Sequence, residues 1–240
     1  VTSVVDMLIP PMERDQTLII DGDDTLWENN IYFEQAIEDF IDFLDHSSLT
    51  RTQVRAVLDE IEHLNSRVHG YGSAAFARNL RETFERLAER DVQQADLDHI
   101  MGLARRIVRE ELEILPGVQQ TLDALKTRHR LLLFTKGELD EQRLKVERSG
   151  LADRFERVTV AREKNATAYR ELLRDCRVDA SRAWMVGNSP RSDILPALDA
   201  GLRAVYIPHA HTWSLERAEV PVGDPRLLVL GVFAELTQHF

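Results

Sequence analysis

The sequence predicts an α/β fold in which a parallel sheet is interrupted by one inserted block of helices. After residue 115, short apolar runs alternate with helical patterns, which is typical of consecutive βαβ units. Between residues 32 and 112, apolar residues instead recur at helical spacing, and no convincing strand pattern occurs. A chain of 240 residues is long enough for one α/β domain with a substantial insertion.

The domain boundaries follow from this change in pattern. We predict an α/β core built from residues 1–31 and 113–240, and a helical domain built from residues 32–112. The first strand is the apolar run at residues 18–20, and the chain returns to the core through the Leu-Pro-Gly segment at 115–117. Because the insertion begins just after the first strand, it must overhang the end of that strand, which is the geometry of a lid.

The spacing of apolar residues also predicts the individual elements. The first inserted helix has Phe33, Ile37, Phe40 and Leu44 on one face. The other helices of the insertion are predicted from residue 54 to about residue 70, from about residue 73 onward, and from about residue 94 to residue 112. Core strands are predicted at residues 131–134, 157–160, 183–186, 204–207 and, at the sheet edge, 227–230. Core helices are predicted at residues 141–147, 165–175 and 194–200, with a final helix that ends at Phe240.

Composition argues against several classes of function. The net charge of −11 disfavours broad binding to nucleic acid or to anionic membranes. Cys176 is the only cysteine, so nothing indicates an oxidising compartment. No apolar run is long enough to span a membrane, and residues 1–16 lack the basic start of a signal peptide. We expect a cytoplasmic protein, monomeric or homodimeric, that binds neither membranes nor nucleic acid.

The end of the first predicted strand carries an acidic cluster. Asp21, Asp23 and Asp24 fall within four residues, and Thr25 follows. So many carboxylates need a cation, a shared proton or solvent, and the carboxyl end of a parallel strand is where open α/β sheets bind ligands. An ordinary acidic turn is the alternative. As chemistry, Asp21 could attack phosphorus as a nucleophile, while Asp23 could move protons as general acid and base.

Two further strand ends carry groups that suit a phosphate. Thr135 follows the second core strand, and its hydroxyl, with the backbone N–H groups of Lys136 and Gly137, could cradle a phosphate. Lys164 follows the third core strand, and only four of the 30 basic residues are lysines. At Thr135 the alternative is an ordinary turn, and at Lys164 it is an exposed lysine at the start of a helix. The second alternative is disfavoured because a cation near a helix start opposes the helix dipole.

The end of the fourth core strand offers oxygen ligands. Asn188 and Asp193 could both supply oxygens to Mg²⁺, which prefers carboxylate, carbonyl and water ligands. Helix capping is the alternative function of this segment, because Ser189 followed by Pro190 is a favourable helix start. The two functions are compatible with each other. All four motifs fall at carboxyl ends of predicted parallel strands, which converge on one edge of the sheet.

This set of motifs resembles the haloacid dehalogenase superfamily, in particular its phosphatase branch. The matching segments, in chain order, are DGDDT at residues 21–25, Thr135, Lys164 and GNSPRSD at residues 187–193. The resemblance implies a Rossmann-like core with a helical cap of the type known as C1. It also implies that Asp21 is the nucleophile and Asp23 the acid and base, that Thr135 and Lys164 hold phosphate, and that Mg²⁺ is the cofactor.

The resemblance also implies the metal ligands, with one departure. Asp21, the backbone carbonyl of Asp23, Asn188 and Asp193 would surround Mg²⁺. The family usually has an aspartate where this chain has Asn188, and an amide contributes no charge. The assignment of the direct ligand between Asn188 and Asp193 is therefore open.

Two features of the sequence, an acid at position 23 and the lack of lysine in residues 1–125, favour one reaction of the family over the others. A halide leaving group needs no proton, so the presence of Asp23 favours an oxygen leaving group over 2-haloacid dehalogenation. Phosphonatases of the family use a cap lysine, and residues 1–125 contain none. We expect hydrolysis of a small phosphorylated metabolite. A catalytically weakened binding or regulatory protein remains the alternative, with Asn188 as its sign.

Two further loops, one with a tyrosine and one with two histidines, could either contact a ligand or serve packing. Tyr71, between Gly70 and Gly72, could reach the substrate from the cap, or could pack inside the helical domain. His209 and His211 follow the last main strand, and we expect them to serve loop packing, because the local sequence offers no acid or cysteine at ligand spacing.

Overall fold

The computed structural model describes residues 16–240. The expectation about a signal peptide therefore concerns residues that lie almost wholly outside the described part of the chain. Within that part, no helix combines the length and the apolar character that crossing a membrane requires.

A six-stranded parallel sheet forms the centre of the molecule, in the spatial order β3-β2-β1-β4-β5-β6. The central strand β1 pairs with β2 on one side and β4 on the other, so that Ile19 is in register with Leu132 and Met185. This arrangement confirms the predicted α/β class. The strands are β1 (Thr17–Ile20), β2 (Arg130–Lys136), β3 (Arg157–Ala161), β4 (Ala183–Gly187), β5 (Arg203–Tyr206) and β6 (Leu227–Val229).

Four helices between β1 and the rest of the core form a separate layer, which we call the four-helix unit. They are α1 (Asn30–Leu44), α2 (Arg51–His69), α3 (Ser73–Leu87) and α4 (Gln94–Arg109). Their apolar faces pack into one cluster of their own, in which Phe40, Leu58, Leu80 and Ile100 are fully buried. The apolar faces that the helical spacing predicts are therefore buried against one another inside this unit.

Four shorter helices belong to the sheet: α5 (Val118–Leu125), α6 (Leu139–Ser149), α7 (Ala166–Cys176) and α8 (Leu195–Asp199). Side chains alternate between the two faces of each strand, so both faces are covered. Leu18 and Ile20 of β1 pack on the face that holds α5, whereas Ile19 packs on the face that holds α7. This double cover explains why the strands read as continuous apolar runs.

Several predicted boundaries were wrong by a turn or more. The fourth helix of the insertion ends at Arg109 rather than at residue 112, because Glu110 is extended, with ψ of 147°. The segment to Phe240 contains 3₁₀ turns at Phe233–Gln238 instead of a regular helix. Helix α5 was not predicted from the sequence.

The two connections between the sheet and the four-helix unit run side by side. Leu115 donates its N–H to the Leu26 carbonyl at 3.0 Å, and Glu28 donates to the Glu113 carbonyl at 2.9 Å. Both crossings therefore lie next to the acidic turn, which places the four-helix unit over the carboxyl edge of the sheet.

Candidate active site

An ion-paired triad stands at the carboxyl edge of the sheet. The Lys164 ammonium contacts Asp21 Oδ1 and lies 2.7 Å from Asp193 Oδ1. These groups come from the ends of β1, β3 and β4, and Lys164 is only 4% exposed. The structure thus brings together three residues that the sequence placed at separate strand ends, and Lys164 is not the exposed lysine of the alternative prediction.

Burial and mutual proximity set the charges of this triad. Burial raises the pKa of Asp21, and the Asp193 carboxylate adds to the rise, while Lys164 opposes it. Burial also raises the pKa of Asp193 by more than Lys164 lowers it. Burial alone would lower the pKa of Lys164, but the two carboxylates outweigh it and the net direction is upward. The ammonium therefore stays charged, and the triad holds one more carboxylate than cations.

The turn after β4 is shaped to hold Asp193. Its second oxygen, Oδ2, accepts the backbone N–H of Ser189 at 2.9 Å. The Ser189 hydroxyl in turn accepts the N–H of Ser192 at 3.0 Å and caps a π-helical turn that begins with Pro190. A Cβ on Gly187 would lie 2.3 Å from Asp193 Oδ2, so the close approach requires glycine. The predicted capping and the acidic site therefore coexist.

Asp23 has a separate set of partners. Lys145 Nζ lies 3.0 Å from each Asp23 oxygen, Gln142 Nε2 donates to Oδ2 at 2.9 Å, and Trp27 Nε1 donates to Oδ1 at 2.7 Å. Lys145 also donates to Asn29 Oδ1 at 2.7 Å. Four donor contacts hold this carboxylate at the cavity wall, two residues away from the triad.

Sequence reasoning missed Lys145 and Gln142, which face the site from α6. They lie 122 and 119 residues from Asp23 along the chain, so no local pattern connects them. One signal was available, because Lys145 is among the four lysines of the chain and follows the Thr135 motif directly.

The second strand end is tied to the same network. Thr135 Oγ1 donates to Gln142 Oε1 at 2.9 Å, which links Thr135 to Asp23 through one amide side chain. The Gly137 N–H donates to the Ala161 carbonyl at 3.1 Å. Phosphate binding by the Lys136 and Gly137 amides stays a prediction, and for Gly137 this bond would have to break.

The side chain of Lys136 faces the cavity and is itself paired. It contacts Glu216 and donates to Ser192 Oγ at 2.9 Å. Burial opposes ionisation of Glu216, but Lys136 outweighs burial and lowers the pKa of that carboxyl.

Tyr71 reaches from the four-helix unit to the core. Its hydroxyl donates to Glu163 Oε1 at 2.8 Å, the Lys136 ammonium lies 4.1 Å from its ring centroid, and the Trp213 ring lies 5.9 Å away, edge-on. Tyr71 therefore does not pack inside the helical bundle, and it lines the cavity as the first of the two alternatives predicted.

The oxygens around Asp21 suit a magnesium ion. Thr25 Oγ1 lies 3.3 Å from both Asp21 Oδ2 and Asn188 Oδ1, so two oxygen acceptors share one hydroxyl proton at long distance. Both oxygens of Asp193, in contrast, already have strong donors. Carboxylate and amide oxygens beside a triad that holds an excess carboxylate form a donor set that fits a hard divalent cation. Asn188 has the freer oxygen of the two candidate ligands.

A second acidic cluster lies beside the site. Ligand atoms of Asp24, Glu28 and His209 lie within 4.8 Å of one another, which is close enough to hold a metal ion. Asp24 Oδ1 already accepts the N–H groups of Asn29 and Asn30, both at 2.9 Å, at the start of α1. Burial raises the pKa of Asp24 to about 7. The fold thus supplies His209 with the acids that its local sequence lacks.

A cavity of about 150 Å³ separates this sheet edge from the four-helix unit. Asp21, Asp23, Thr135 and Lys164 form its floor. The opposite wall, which we call the helical wall, consists of side chains from α1, α2 and α3 together with Trp213 of the loop after β5: Asn30, Phe33, Glu34, Glu62, Phe76 and Asn79 contribute to it.

Comparison with known proteins agrees with this architecture. A pyrimidine 5'-nucleotidase of Escherichia coli, YjjG, is 30% identical over 103 residues, which cover 40% of this chain and only 45% of that protein. The crystal structure of a haloacid dehalogenase-like family hydrolase from Xanthomonas campestris has a TM-score of 0.80 and 29% identity, and covers 93% of each chain. A 2-haloacid dehalogenase from Pseudomonas syringae has a TM-score of 0.59 and 25% identity, covering 93% of this chain and 97% of its own.

A family model provides the assignment. The model of haloacid dehalogenase-like hydrolases matches residues 16–201, which include all four motifs and the four-helix unit. The resemblance seen in the motifs is thereby confirmed: the chain belongs to the haloacid dehalogenase-like hydrolases.

Proposed function

We propose that this hydrolase is a Mg²⁺-dependent phosphatase that cleaves a small phosphomonoester through an aspartyl-phosphate on Asp21. The observation that supports it most strongly is the placement of Asp23. A second carboxylate lies at the cavity floor, fixed by Lys145, Gln142 and Trp27. An alkoxide leaving group needs a proton from such a group, whereas a halide does not.

The reaction then has two displacement steps. A carboxylate oxygen of Asp21 attacks phosphorus, the bond from phosphorus to the ester oxygen breaks, and Asp23 donates a proton to that oxygen. Asp23 next takes a proton from water as the water attacks the phosphoryl group, which releases inorganic phosphate and restores the Asp21 carboxylate. Lys164 and the Thr135 hydroxyl would bind the phosphoryl oxygens, because both residues belong to the cavity floor.

Asp21, the backbone carbonyl of Asp23 and Asn188 would hold the metal, with Asp193 orienting Lys164 beside them. When bound, Mg²⁺ supplies positive charge that stabilises the transferring phosphoryl group. The chain's own contribution is to align Asp21, through Lys164 on one oxygen and Thr25 on the other, while Lys164 opposes the rise in its pKa.

The relatives support two reactions unequally. The name of the Escherichia coli relative describes a nucleotidase, which is a phosphomonoester hydrolase, although its match covers less than half of either chain. The Pseudomonas syringae neighbour is a 2-haloacid dehalogenase, so dehalogenation by Asp21 is the second candidate. Asp23 and its donors favour the first.

Activity measurements separate these candidates. We expect hydrolysis of an aryl phosphate with Mg²⁺, its loss with a chelator, and no halide release from 2-chloropropionate. Asp21→Asn should reduce turnover by at least ~10³-fold in a protein that still folds, because an amide is not a competent nucleophile. Asp153→Asn, at an exposed position away from the cavity, is the matched control. Halide release without phosphate release would overturn the proposal.

Asp23→Asn tests the proton donor directly. An alkyl phosphate needs a protonated leaving group far more than a nitrophenyl phosphate does, so the variant should lose about 10²-fold more turnover on the alkyl ester. Equal losses on both esters would show that Asp23 is not the general acid.

The proposal also covers the domain division, the localisation, the oligomeric state and the partners of the protein. The four-helix unit would act as a cap domain, with the division at residues 32–112 expected from the sequence. Tyr71 would contact substrate from it. The protein would be cytoplasmic and monomeric or homodimeric, and would bind neither nucleic acid nor membranes.

A further inference from the structure

The helical wall contains a buried carboxylate that the proposed reaction does not use. Glu62 of α2 is 4% exposed and lines the cavity opposite the phosphate site. Within the described part of the chain, its side chain accepts a single hydrogen bond, from Trp213 Nε1 at 3.0 Å. A buried carboxylate with one neutral donor is poorly stabilised and favours a cationic neighbour.

The charge balance around Glu62 is negative. Arg55 is the guanidinium nearby, and it is already engaged by Glu34, at 2.6 and 3.0 Å, and by Asp59, at 2.8 Å. Glu34 lines the cavity as well. Among the described residues with which the four-helix unit lines the cavity, there is no Arg, Lys or His.

The lysines on the opposite side offer no compensation. Lys136 is paired with Glu216, Lys145 with Asp23, and Lys164 with Asp21 and Asp193. A second anionic group next to Glu62 would therefore meet like charge, and none of the lysines that line this cavity in the described part of the chain is free to neutralise it.

Aromatic rings complete the wall. Phe33 and Phe76 form an edge-to-face pair with centroids 5.0 Å apart, and Trp213 lies beside Glu62. All three rings line the cavity. Aromatic faces combined with a carboxylate are the groups that recognise ammonium ions. The cavity of about 150 Å³ is small compared with typical ligand pockets of about 300–1,000 Å³. A second cavity of about 550 Å³ shares Tyr71, Lys136 and Lys164 with it but is not lined by Glu62.

We propose that the helical wall is the subsite for the leaving group, and that it selects the phosphomonoester of a small amino alcohol, with Glu62 pairing to its ammonium. This inference rests on the proposed phosphatase function. It assigns the substrate class through the charge of the leaving group, which none of the catalytic residues determines.

Three esters of similar size and different charge test the inference. They are 2-aminoethyl phosphate, propyl phosphate and 2-phosphoglycolate, whose leaving groups are cationic, neutral and anionic. With Mg²⁺ present, kcat/KM should fall in that order, and the cationic ester should exceed the anionic one by about 100-fold. This ranking is measured on the unmodified protein, so it does not depend on whether a variant folds.

Glu62→Gln then assigns the preference to its residue. The variant should reduce the ratio of kcat/KM between the cationic and anionic esters to about tenfold or less, mainly through KM of the aminoethyl ester. Glu60→Gln, on the exposed face of the same helix, should keep the ratio of the unmodified protein.

The outcomes are distinguishable. If an aryl phosphate is not hydrolysed at all, the phosphatase proposal fails and this inference falls with it. If the aryl phosphate is hydrolysed but 2-phosphoglycolate equals or exceeds 2-aminoethyl phosphate, only the subsite is refuted. Preference for a nucleoside monophosphate over the aminoethyl ester, unchanged in Glu62→Gln, would refute it as well.

Discussion

The carboxylates at the cavity floor and Glu62 in the helical wall have opposite kinds of partner. On the sheet side, each acid at the cavity floor has an ammonium partner: Lys164 serves Asp21 and Asp193, and Lys145 serves Asp23. On the helical side, Glu62 has only an indole N–H. Asp21 and Asp193 are as buried as Glu62, so for these residues the difference lies in the partners and not in the exposure to water.

The two kinds of carboxylate suit different functions, catalysis at the floor and ligand selection at the helical wall. Ammonium partners align the floor carboxylates, and Lys164 opposes the rise in pKa that burial causes at Asp21 and Asp193, which suits groups that must attack phosphorus or transfer protons. A carboxylate without a cationic partner is costly until a ligand supplies the cation, which suits a group that chooses among ligands. Loss of an ammonium partner at the floor and loss of the Glu62 carboxylate should therefore have different effects on the free energy of unfolding and on turnover.

The largest effect is expected from Lys164→Met. Removal of the ammonium leaves two carboxylates buried against each other, so the free energy of unfolding should fall by about 3 kcal/mol, and turnover should fall by at least ~10³-fold. Urea unfolding and aryl phosphate hydrolysis measure the two effects. Lys126→Met is the surface control, since Lys126 pairs with Asp123 in a largely exposed ion pair. A stable Lys164→Met protein would contradict the role of the triad as an ion-paired unit.

Glu62 should contribute a pH-dependent term to the stability of the protein. Burial raises the pKa of Glu62 to about 7 from 4.5, so the folded protein retains the proton at higher pH than the unfolded chain. The free energy of unfolding should therefore decline between about pH 4.5 and 7, by up to about 3 kcal/mol from this group.

Glu62→Gln should remove the part of the decline that Glu62 causes, while Asp21 and Asp24, whose pKa values burial also raises to about 7, keep their own contributions. The variant should match the original stability near pH 4 and exceed it near pH 8, as measured by urea unfolding across the pH range. Glu60→Gln should leave the profile unchanged. A Glu62→Gln protein that is less stable than the original at pH 8 would show that the carboxylate already has adequate partners.

Lys145→Met should weaken catalysis while the fold survives. Asp23 retains Gln142 and Trp27 but loses the ammonium that contacts both of its oxygens. We expect kcat to fall by about 10–100-fold with a smaller change in KM, because the acid is displaced rather than removed. Restoration of activity in Lys145→Arg would identify the cation as a positioning group. A purely structural role would change the unfolding midpoint and leave kcat unaffected.

The smallest effect is expected at Asn188. If its amide oxygen is a direct ligand, Asn188→Ala should raise the Mg²⁺ concentration for half-maximal activity by roughly tenfold, and Asn188→Asp should lower it. A Mg²⁺ titration of the aryl phosphatase activity measures both. Identical titrations in the two variants would assign the metal contact to Asp193 instead.

The floor could be predicted from the sequence because each of its groups follows a strand. Asp21, Thr135, Lys164 and Asp193 stand where an apolar run ends, and parallel strands bring such ends to one edge. The partners Lys145 and Gln142 face inward from a helix, so only the three-dimensional packing of α6 reveals them. Glu62 was hidden for a related reason, because its partner Trp213 lies 151 residues away along the chain.

The helices show the same limit. The four long helices of the insertion were predictable, since their apolar faces repeat over several turns. Helix α5, with eight residues, and the turns near Phe240 are too short for periodicity to identify.

The hydrogen bond between Trp213 and Glu62 also makes the cavity visible by optical spectroscopy. The chain has three tryptophans, and Trp27 and Trp184 are enclosed in the core beneath the sheet face that holds α5. Trp213 alone among them contacts the four-helix unit, where its indole N–H lies on Glu62, whereas the indole N–H of Trp27 lies on Asp23 of the cavity floor. The emission of Trp213 is thus a built-in reporter of what enters the helical wall, readable without a label in the native protein.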